Sequence, residues 1–403
     1  MKKKKKWLKK RHKVIRDLLG STLGVYCKFK YGIKVDKFRE EGNRPYLILY
    51  NHQTAFDQFF VGLAFRKPVY YVASEDLFSK GWVSSLIRFL VEPIPIKKQT
   101  TDIGAVMNCI RVAREGGTIA IAPEGNRTYS GKTEYMSTAI APLAKKLKLP
   151  IALYRLEGGY GVQPRWSDVV RKGKMRGFVS QVIEPEEYAA MTNEELFSVI
   201  EKGLFQDEGV ADGKFKSRKK AEYLERAMYV CPFCGLSEFE SRGDTITCKK
   251  CGKAVTYGED KTLTGVGFDF PFRFVTQWYD YQKDFINRLD VMDYRNKPLY
   301  RDQSDLSEVI LYDKKVPLRK NSQIALYGDR IVIDEGREDE MVLPFEELVA
   351  VSVLGKNKLN IYYGDHLYQL KSHKRFNALK YVNIYYRHKN ITRDNADDTF
   401  LGL

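Results

Sequence analysis

Tyr46-Leu-Ile-Leu-Tyr50-Asn51-His52-Gln-Thr-Ala-Phe-Asp57 is the stretch from which the rest of the chain can be read. Five consecutive apolar residues predict a short buried strand, and the spacing of Phe56, Phe59, Phe60 and Leu63 predicts a helix behind it. His52 therefore stands at a strand-to-helix junction. With four residues between them, one turn of helix brings Asp57 back to the imidazole, where a carboxylate fixes the tautomer and raises the basicity of the ring. That pair suits a general base acting on a hydroxyl. No Ser or Cys occupies a recognisable nucleophile elbow, so the hydroxyl belongs to a substrate and the reaction is direct transfer.

Outward from this stretch, short apolar runs alternate with helical patterns: Val69-Tyr-Tyr-Val-Ala73, Ile94-Pro-Ile96, Thr118-Ile-Ala-Ile-Ala122, Ile151-Ala-Leu-Tyr154 and Phe178-Val-Ser-Gln-Val-Ile183. The alternation indicates an α/β domain over residues 31–210 with a mostly parallel sheet. After Thr118 to Ala122 comes Pro123-Glu124-Gly125-Asn126-Arg127. Both polar motifs thus follow strands at their carboxyl ends, where open α/β sheets place ligands. Gly125 permits a tight turn, Arg127 presents a planar fork of donors to phosphate, and Glu124 can orient that arginine or hold a substrate hydroxyl. Taken alone, the same residues would read as a surface turn with an ion pair.

The two motifs together resemble the glycerolipid acyltransferase superfamily, and most closely its bacterial 1-acylglycerol-3-phosphate O-acyltransferase branch. Its hallmark is Asn-His-x-x-x-x-Asp, followed about 70 residues later by Pro-Glu-Gly-Thr-Arg. The resemblance covers residues 31–210. It implies that His52 is the base, that Asp57 orients it, and that Glu124, Gly125 and Arg127 bind the glycerol phosphate of a lysophospholipid acceptor. The implied donor is a thioester, acyl-coenzyme A or acyl carrier protein, and the implied product is phosphatidic acid. Departures are Asn126 for the usual threonine, Lys97 for the arginine that commonly ends the intermediate block, and Leu149-Pro150-Ile-Ala-Leu153 without its second proline. They bear on the acceptor more than on the chemistry, and Lys97 remains a point charge for phosphate.

Of 403 residues, 68 Lys and Arg against 51 Asp and Glu give a net charge of +17. Ten of the cations fall within the first sixteen residues, and an apolar pattern through Ile15, Leu18, Leu19, Leu23, Val25, Tyr26 and Phe29 follows. Residues 1–30 thus read as a basic amphipathic helix suited to an anionic membrane surface, where each cation contributes ~1 kcal/mol. No stretch free of charged residues exceeds the twelve of 45–56, too short to span a bilayer. Charges return at Arg16-Asp17, unlike a secretory signal. The expectation is a cytoplasmic protein, peripheral on the inner face of the cell membrane.

Residues 211–228 read as a linker. Cys231-Pro-Phe-Cys234-Gly and Cys248-Lys-Lys-Cys251-Gly then mark residues 229–257 as a zinc ribbon, four thiolates filling a structural tetrahedral Zn2+ site. Residues 258–315 read as a helical connector. Alternating segments within 316–390, closed by a helix from Arg375 to Arg387, resemble a pleckstrin-homology or GRAM-type domain, with 391–403 as a tail. Two rival readings are a nucleic-acid-binding ribbon protein and an inactive scaffold. The charge concentrated in one tail argues against the first, leaving no nucleic acid expected, and the intact His52, Asp57, Glu124 and Arg127 argue against the second.

Overall fold

The computed structural model describes residues 6–78, 81–96, 102–310, 314–392 and 399–402. It divides into two units, Met1–Arg165 with Val170–Lys216 and Trp166–Val169 with Ser217–Leu403.

Unit 1 begins with α1 (Lys10–Tyr31) and β1 (Ile33–Val35), followed by β2 (Leu47–Tyr50), α2 (Asp57–Ala64), β3 (Val69–Ser74), α3 (Trp82–Val91) and β4 (Ile94–Ile96). It continues through α4 (Ile103–Arg114), β5 (Thr118–Ile121), α5 (Ile140–Leu147), β6 (Ile151–Glu157), α6 (Gly159–Val162), β7 (Met175–Ile183), α7 (Pro185–Ala189) and α8 (Asn193–Leu204). The seven strands form one sheet in the order β1-β7-β6-β2-β5-β3-β4, parallel throughout except where β7 runs antiparallel to β6. Leu47 and Leu49 enter one apolar core with Cys109, Ala144 and Leu196, and Tyr46, Ile48 and Tyr50 enter another with Cys27, Tyr31 and Phe60. Burial on both faces explains why the strands read as unbroken apolar runs.

On α1, His12, Cys27 and Tyr31 face inward. The Nδ1 of His12 lies 3.0 Å from the Tyr70 hydroxyl, and Tyr31 packs on Phe56 and Phe60 at ring separations of 5.1 and 5.4 Å. Val14, Leu18, Val25 and Phe29 form a stripe on the opposite side of the helix and are exposed, Phe29 by 83%. The expected apolar pattern thus splits into a packed half and a solvent-facing half. No helix among the described residues is long and apolar enough to cross a membrane.

In unit 2, β8 (Val230–Cys231) and β9 (Gly235–Leu236) pair with each other, and β10 (Phe239–Arg242), β11 (Thr245–Cys248), β12 (Ala254–Tyr257) and β13 (Leu263–Gly265) form a four-stranded antiparallel sheet. After α9 (Val275–Arg288) come β14 (Tyr300–Val309), β15 (Lys315–Leu326), β16 (Arg330–Ile333), β17 (Met341–Pro344), β18 (Leu348–Leu354), β19 (Lys358–Tyr363), β20 (His366–Lys371) and α10 (Leu379–Thr392). These last seven strands form one antiparallel sheet ordered β17-β16-β15-β14-β20-β19-β18.

Several sequence-based boundaries move. The stretch at 211–216 belongs to unit 1 rather than to a linker, because Lys172 and Lys216 exchange backbone hydrogen bonds of 3.0 and 2.8 Å. The cysteine module gains β13, which pairs with β12 beyond residue 257. Tyr300–Val309, expected within a helical connector, is the central strand β14, paired on both sides. The closing helix starts at Leu379, since Phe376 N bonds back to His373 O in a turn just before it.

Candidate active site and metal centre

Strands β2 and β5 lie side by side, with Leu49 opposite Ile121. This register brings the ends of both strands together, although 72 residues separate His52 from Glu124 along the chain. The backbone N–H of His52 donates to Glu124 Oε1 at 2.7 Å. Asn51, fully buried, fixes the end of β2 to β6 by accepting from Leu156 N at 2.7 Å and donating to Leu156 O at 3.0 Å.

Asp57 opens α2, where a carboxylate complements the helix dipole. It is fully buried. Its Oδ2 accepts from Gln53 N at 2.7 Å and Thr54 N at 2.9 Å, and its Oδ1 accepts from Thr54 Oγ1 at 2.6 Å. His52 Nδ1 lies 2.8 Å from the same Oδ2. An oxygen already accepting two N–H groups receives a proton from the ring as well, so Nδ1 carries it and Nε2 is left as the proton acceptor. The imidazole is 23% exposed, within reach of a substrate.

Glu124 and Arg127 sit in the turn after β5, where Gly125 N bonds to Ala122 O at 3.0 Å and Gly125 adopts φ +66°, a conformation that favours glycine. Burial pushes the Glu124 carboxyl up to about 8, with Asp57 and Glu134 adding to the shift and the His52 N–H opposing it. Burial, then the neighbouring Arg165, lower the Arg127 guanidinium to about 10. Arg127 Nη1 is buried with no hydrogen-bond partner among the described residues. Lys97 lies outside the described residues.

The segment after β6 completes the site, and sequence reasoning missed it. Gly159 packs so closely on Gln53 that a Cβ there would come within 2.6 Å of the Gln53 Cβ. Gln163 Oε1 accepts from Ala55 N at 3.2 Å, and Arg165 Nη1 donates to the Arg127 carbonyl at 2.7 Å while its guanidinium lies 4.3 Å from the Tyr129 ring centre. The glycines of Gly158-Gly-Tyr-Gly161 were the available sign of a close backbone approach.

The raised Glu124 carboxyl has a testable sign. Because the fold favours its neutral form, its contribution to stability is full below the ordinary carboxylate range and is lost as pH rises through about 8. The melting temperature of the parent should fall between about pH 5 and 8 more steeply than that of Glu124→Gln, whose amide oxygen can still accept from His52 N, and the two profiles should run parallel above that range. Superimposable profiles would refute the assignment.

In unit 2, the Sγ atoms of Cys231, Cys234, Cys248 and Cys251 all lie within 4.8 Å of one another. Separations of 3.6 and 3.8 Å exclude disulfides and fit four thiolates around one ion. Gly235 and Gly252, both at φ +73°, follow the second cysteine of each pair and close the knuckles. Burial works against ionisation of Cys248, but hydrogen bonds from Ser237 Oγ and the Cys251 and Lys250 N–H groups outweigh it and bring the thiol to about 7. The cluster can hold a metal ion.

Residues 33–153 match the family described as Acyltransferase. The matched segment lies within unit 1 and runs from β1 into β6. The chain is 21% identical over 189 residues to the 1-acyl-sn-glycerol-3-phosphate acyltransferase of Bacillus subtilis, covering 46% of this chain and 91% of that protein. It is 20% identical over 187 residues to the chloroplastic 1-acyl-sn-glycerol-3-phosphate acyltransferase of Arabidopsis thaliana, covering 45% of this chain and 52% of that one. The crystal structure of the 1-acyl-sn-glycerophosphate acyltransferase of Thermotoga maritima aligns with a TM-score of 0.40 and 21% identity, over 47% of this chain and 75% of that one. All of these alignments leave more than half of the present chain unmatched.

Proposed function

We propose that this protein transfers a fatty acyl group from a thioester of coenzyme A or acyl carrier protein to the free hydroxyl of 1-acylglycerol-3-phosphate, forming phosphatidic acid. The observation that carries the reading is the His52–Asp57 pair, its Nδ1 held at 2.8 Å by a fully buried carboxylate, beside a turn that supplies Glu124 and Arg127. His52 Nε2 takes the acceptor's hydroxyl proton as the oxygen attacks the thioester carbonyl. The new C–O bond forms, the C–S bond breaks, and the proton passes from His52 to the departing thiolate. Arg127 holds the acceptor's phosphate through its unpartnered Nη1, with Lys97 as a second cation. The Bacillus and Arabidopsis relatives, named for this reaction, support the acceptor.

The reading includes a membrane surface as the place of work. The apolar stripe of α1 is joined by exposed Trp82, Leu86 and Phe89 on α3, Trp82 by 77%. Arg11 lies 4.3 Å from the Phe89 ring centre and donates to the Phe89 carbonyl, which ties the two helices together. Apolar side chains beside a basic N-terminus suit adsorption to anionic lipid without spanning it. In unit 2, the four cysteines hold structural Zn2+. The seven-stranded antiparallel sheet followed by α10 supports reading the C-terminal region as a pleckstrin-homology-like domain.

The test is acyl transfer from each donor to lysophosphatidate on anionic vesicles, with co-sedimentation of the protein. Phosphatidate formation by vesicle-bound protein is expected. Failure with both donors would overturn the reading, and transfer only to another lysolipid would replace the acceptor.

A further inference from the structure

We propose that the C-terminal end of α1 is more than an anchor: Tyr31, acting through Phe56, is a positioning residue that holds the turn carrying His52 and Asp57 in its working geometry. The inference deepens the acyltransferase reading and rests on it for the reaction.

The turn from His52 to Asp57 is tied together by its own polar groups. Phe56 N donates to Thr54 Oγ1 at 3.0 Å, and Thr54 Oγ1 donates to Asp57 Oδ1 at 2.6 Å. Phe56 then stands at the head of α2, its carbonyl accepting from Phe59 N at 2.9 Å and from Phe60 N at 3.3 Å. Its side chain packs against α1. The Tyr31 ring lies 5.1 Å away and the more exposed Tyr26 ring 6.3 Å away. The next residue is Asp57, whose Oδ2 lies 2.8 Å from His52 Nδ1. A shift of Phe56 therefore moves the carboxylate that orients the base.

Tyr31 can hold Phe56 because its own place is fixed by the sheet. It is 2% exposed. It stands directly before Gly32, which ends α1 at φ +64° and whose carbonyl accepts from Met175 N at 3.2 Å. The next pair, Ile33 opposite Met175, joins β1 to β7. The phenol also lies within electrostatic reach of both polar motifs. Burial pushes it up, with Tyr26, Cys27 and Asp57 adding to the shift and the Arg127 guanidinium opposing it. Core packing alone would make Tyr31 a residue of stability. Its contact, however, is made one residue before the carboxylate, where a misplacement of about 0.5–1 Å is enough to cost turnover.

The experiment measures acyl transfer to lysophosphatidate on anionic vesicles by the parent, Tyr31→Leu, Tyr31→Phe, Phe56→Leu and the double variant with both leucines, at equal amounts of vesicle-bound protein. Tyr31→Leu is expected to lower kcat about tenfold while KM changes less than about threefold, and Tyr31→Phe, which keeps the ring, should recover most of that loss. Phe56→Leu should lower kcat to a similar extent. The double variant should lose little more than either single one, as two residues acting through one contact do. Additive losses, a loss confined to KM, or a kcat for Tyr31→Leu within about twofold of the parent would overturn the inference and reduce Tyr31 to core packing.

A readout independent of turnover is the downfield proton resonance of the His52 Nδ1–H held by Asp57, assigned by its absence from His52→Ala. It should vanish or broaden in Tyr31→Leu and persist in Tyr31→Phe. If Tyr31→Leu fails to fold, Phe56→Leu decides, since Phe56 is only partly buried, and an unchanged kcat and resonance there would count against the positioning role. A parent whose resonance depends on Tyr31 in this way but which transfers no acyl group would sink the acyltransferase reading while leaving the positioning role standing.

Discussion

His52→Ala is expected to lower kcat/KM for acyl transfer by about 10²- to 10⁴-fold, the range that general-base assistance supplies. When the imidazole is removed, Asp57 keeps its N–H donors from Gln53 and Thr54. The ring is partly exposed, and the backbone N–H that binds Glu124 survives the substitution. Thermal stability should therefore change little, which separates lost chemistry from lost fold. Asp57→Asn gives a more informative loss. Asp57 takes N–H donors from Gln53 and Thr54 as well as the ring, so an amide here presents an NH2 group to one of those donors and favours the wrong tautomer of His52. Its effect on turnover should approach that of His52→Ala, with an added loss of stability. Retention of activity within a few-fold by correctly folded His52→Ala protein would remove the imidazole from the mechanism.

The pair His52 and Asp57 was legible because everything it requires is local: an apolar run that ends, a helical pattern that begins, and four residues between. The Glu124 turn was legible for the same reason. Their proximity was not, since it depends on β5 inserting between β2 and β3 in the sheet, a strand order that spacing along the chain does not specify. Arg165 was harder still, because it lies 38 residues from Arg127 in an irregular loop. In unit 2 the missed strand β14 explains the misplaced connector. Tyr300-Arg-Asp-Gln-Ser-Asp-Leu-Ser-Glu-Val309 has few apolar residues, and its buried Ser304 and Ser307 interrupt the apolar alternation on which strand reading relies. The cysteine knuckles needed no such long-range information. Each is specified within five residues, down to the glycine whose positive φ closes the turn.

Removal of the proposed Zn2+ from the cysteine cluster should produce the largest loss of stability in the chain. Structural Zn2+ held by protein ligands contributes about 10–16 kcal/mol of apparent binding free energy, all of it coupled to folding. The local structure gives few substitutes for that energy. β8 and β9 are two residues each, and Cys248 is the last residue of the four-residue strand β11. Without an ion, four mutually close thiolates repel one another or must take up protons. Purified protein is expected to contain one zinc per chain. A strong chelator should lower the melting transition of unit 2 by tens of degrees, with recovery on adding Zn2+. Cys248→Ser should copy the chelated state even in excess zinc, because the remaining three thiolates leave one ligand position weakly filled. Protein that is metal-free as purified yet melts cooperatively, and whose melting does not respond to zinc, would show that hydrogen bonds such as that between Ser237 and Cys248 suffice to close the knuckles, and the cluster would lose its assignment as a metal centre.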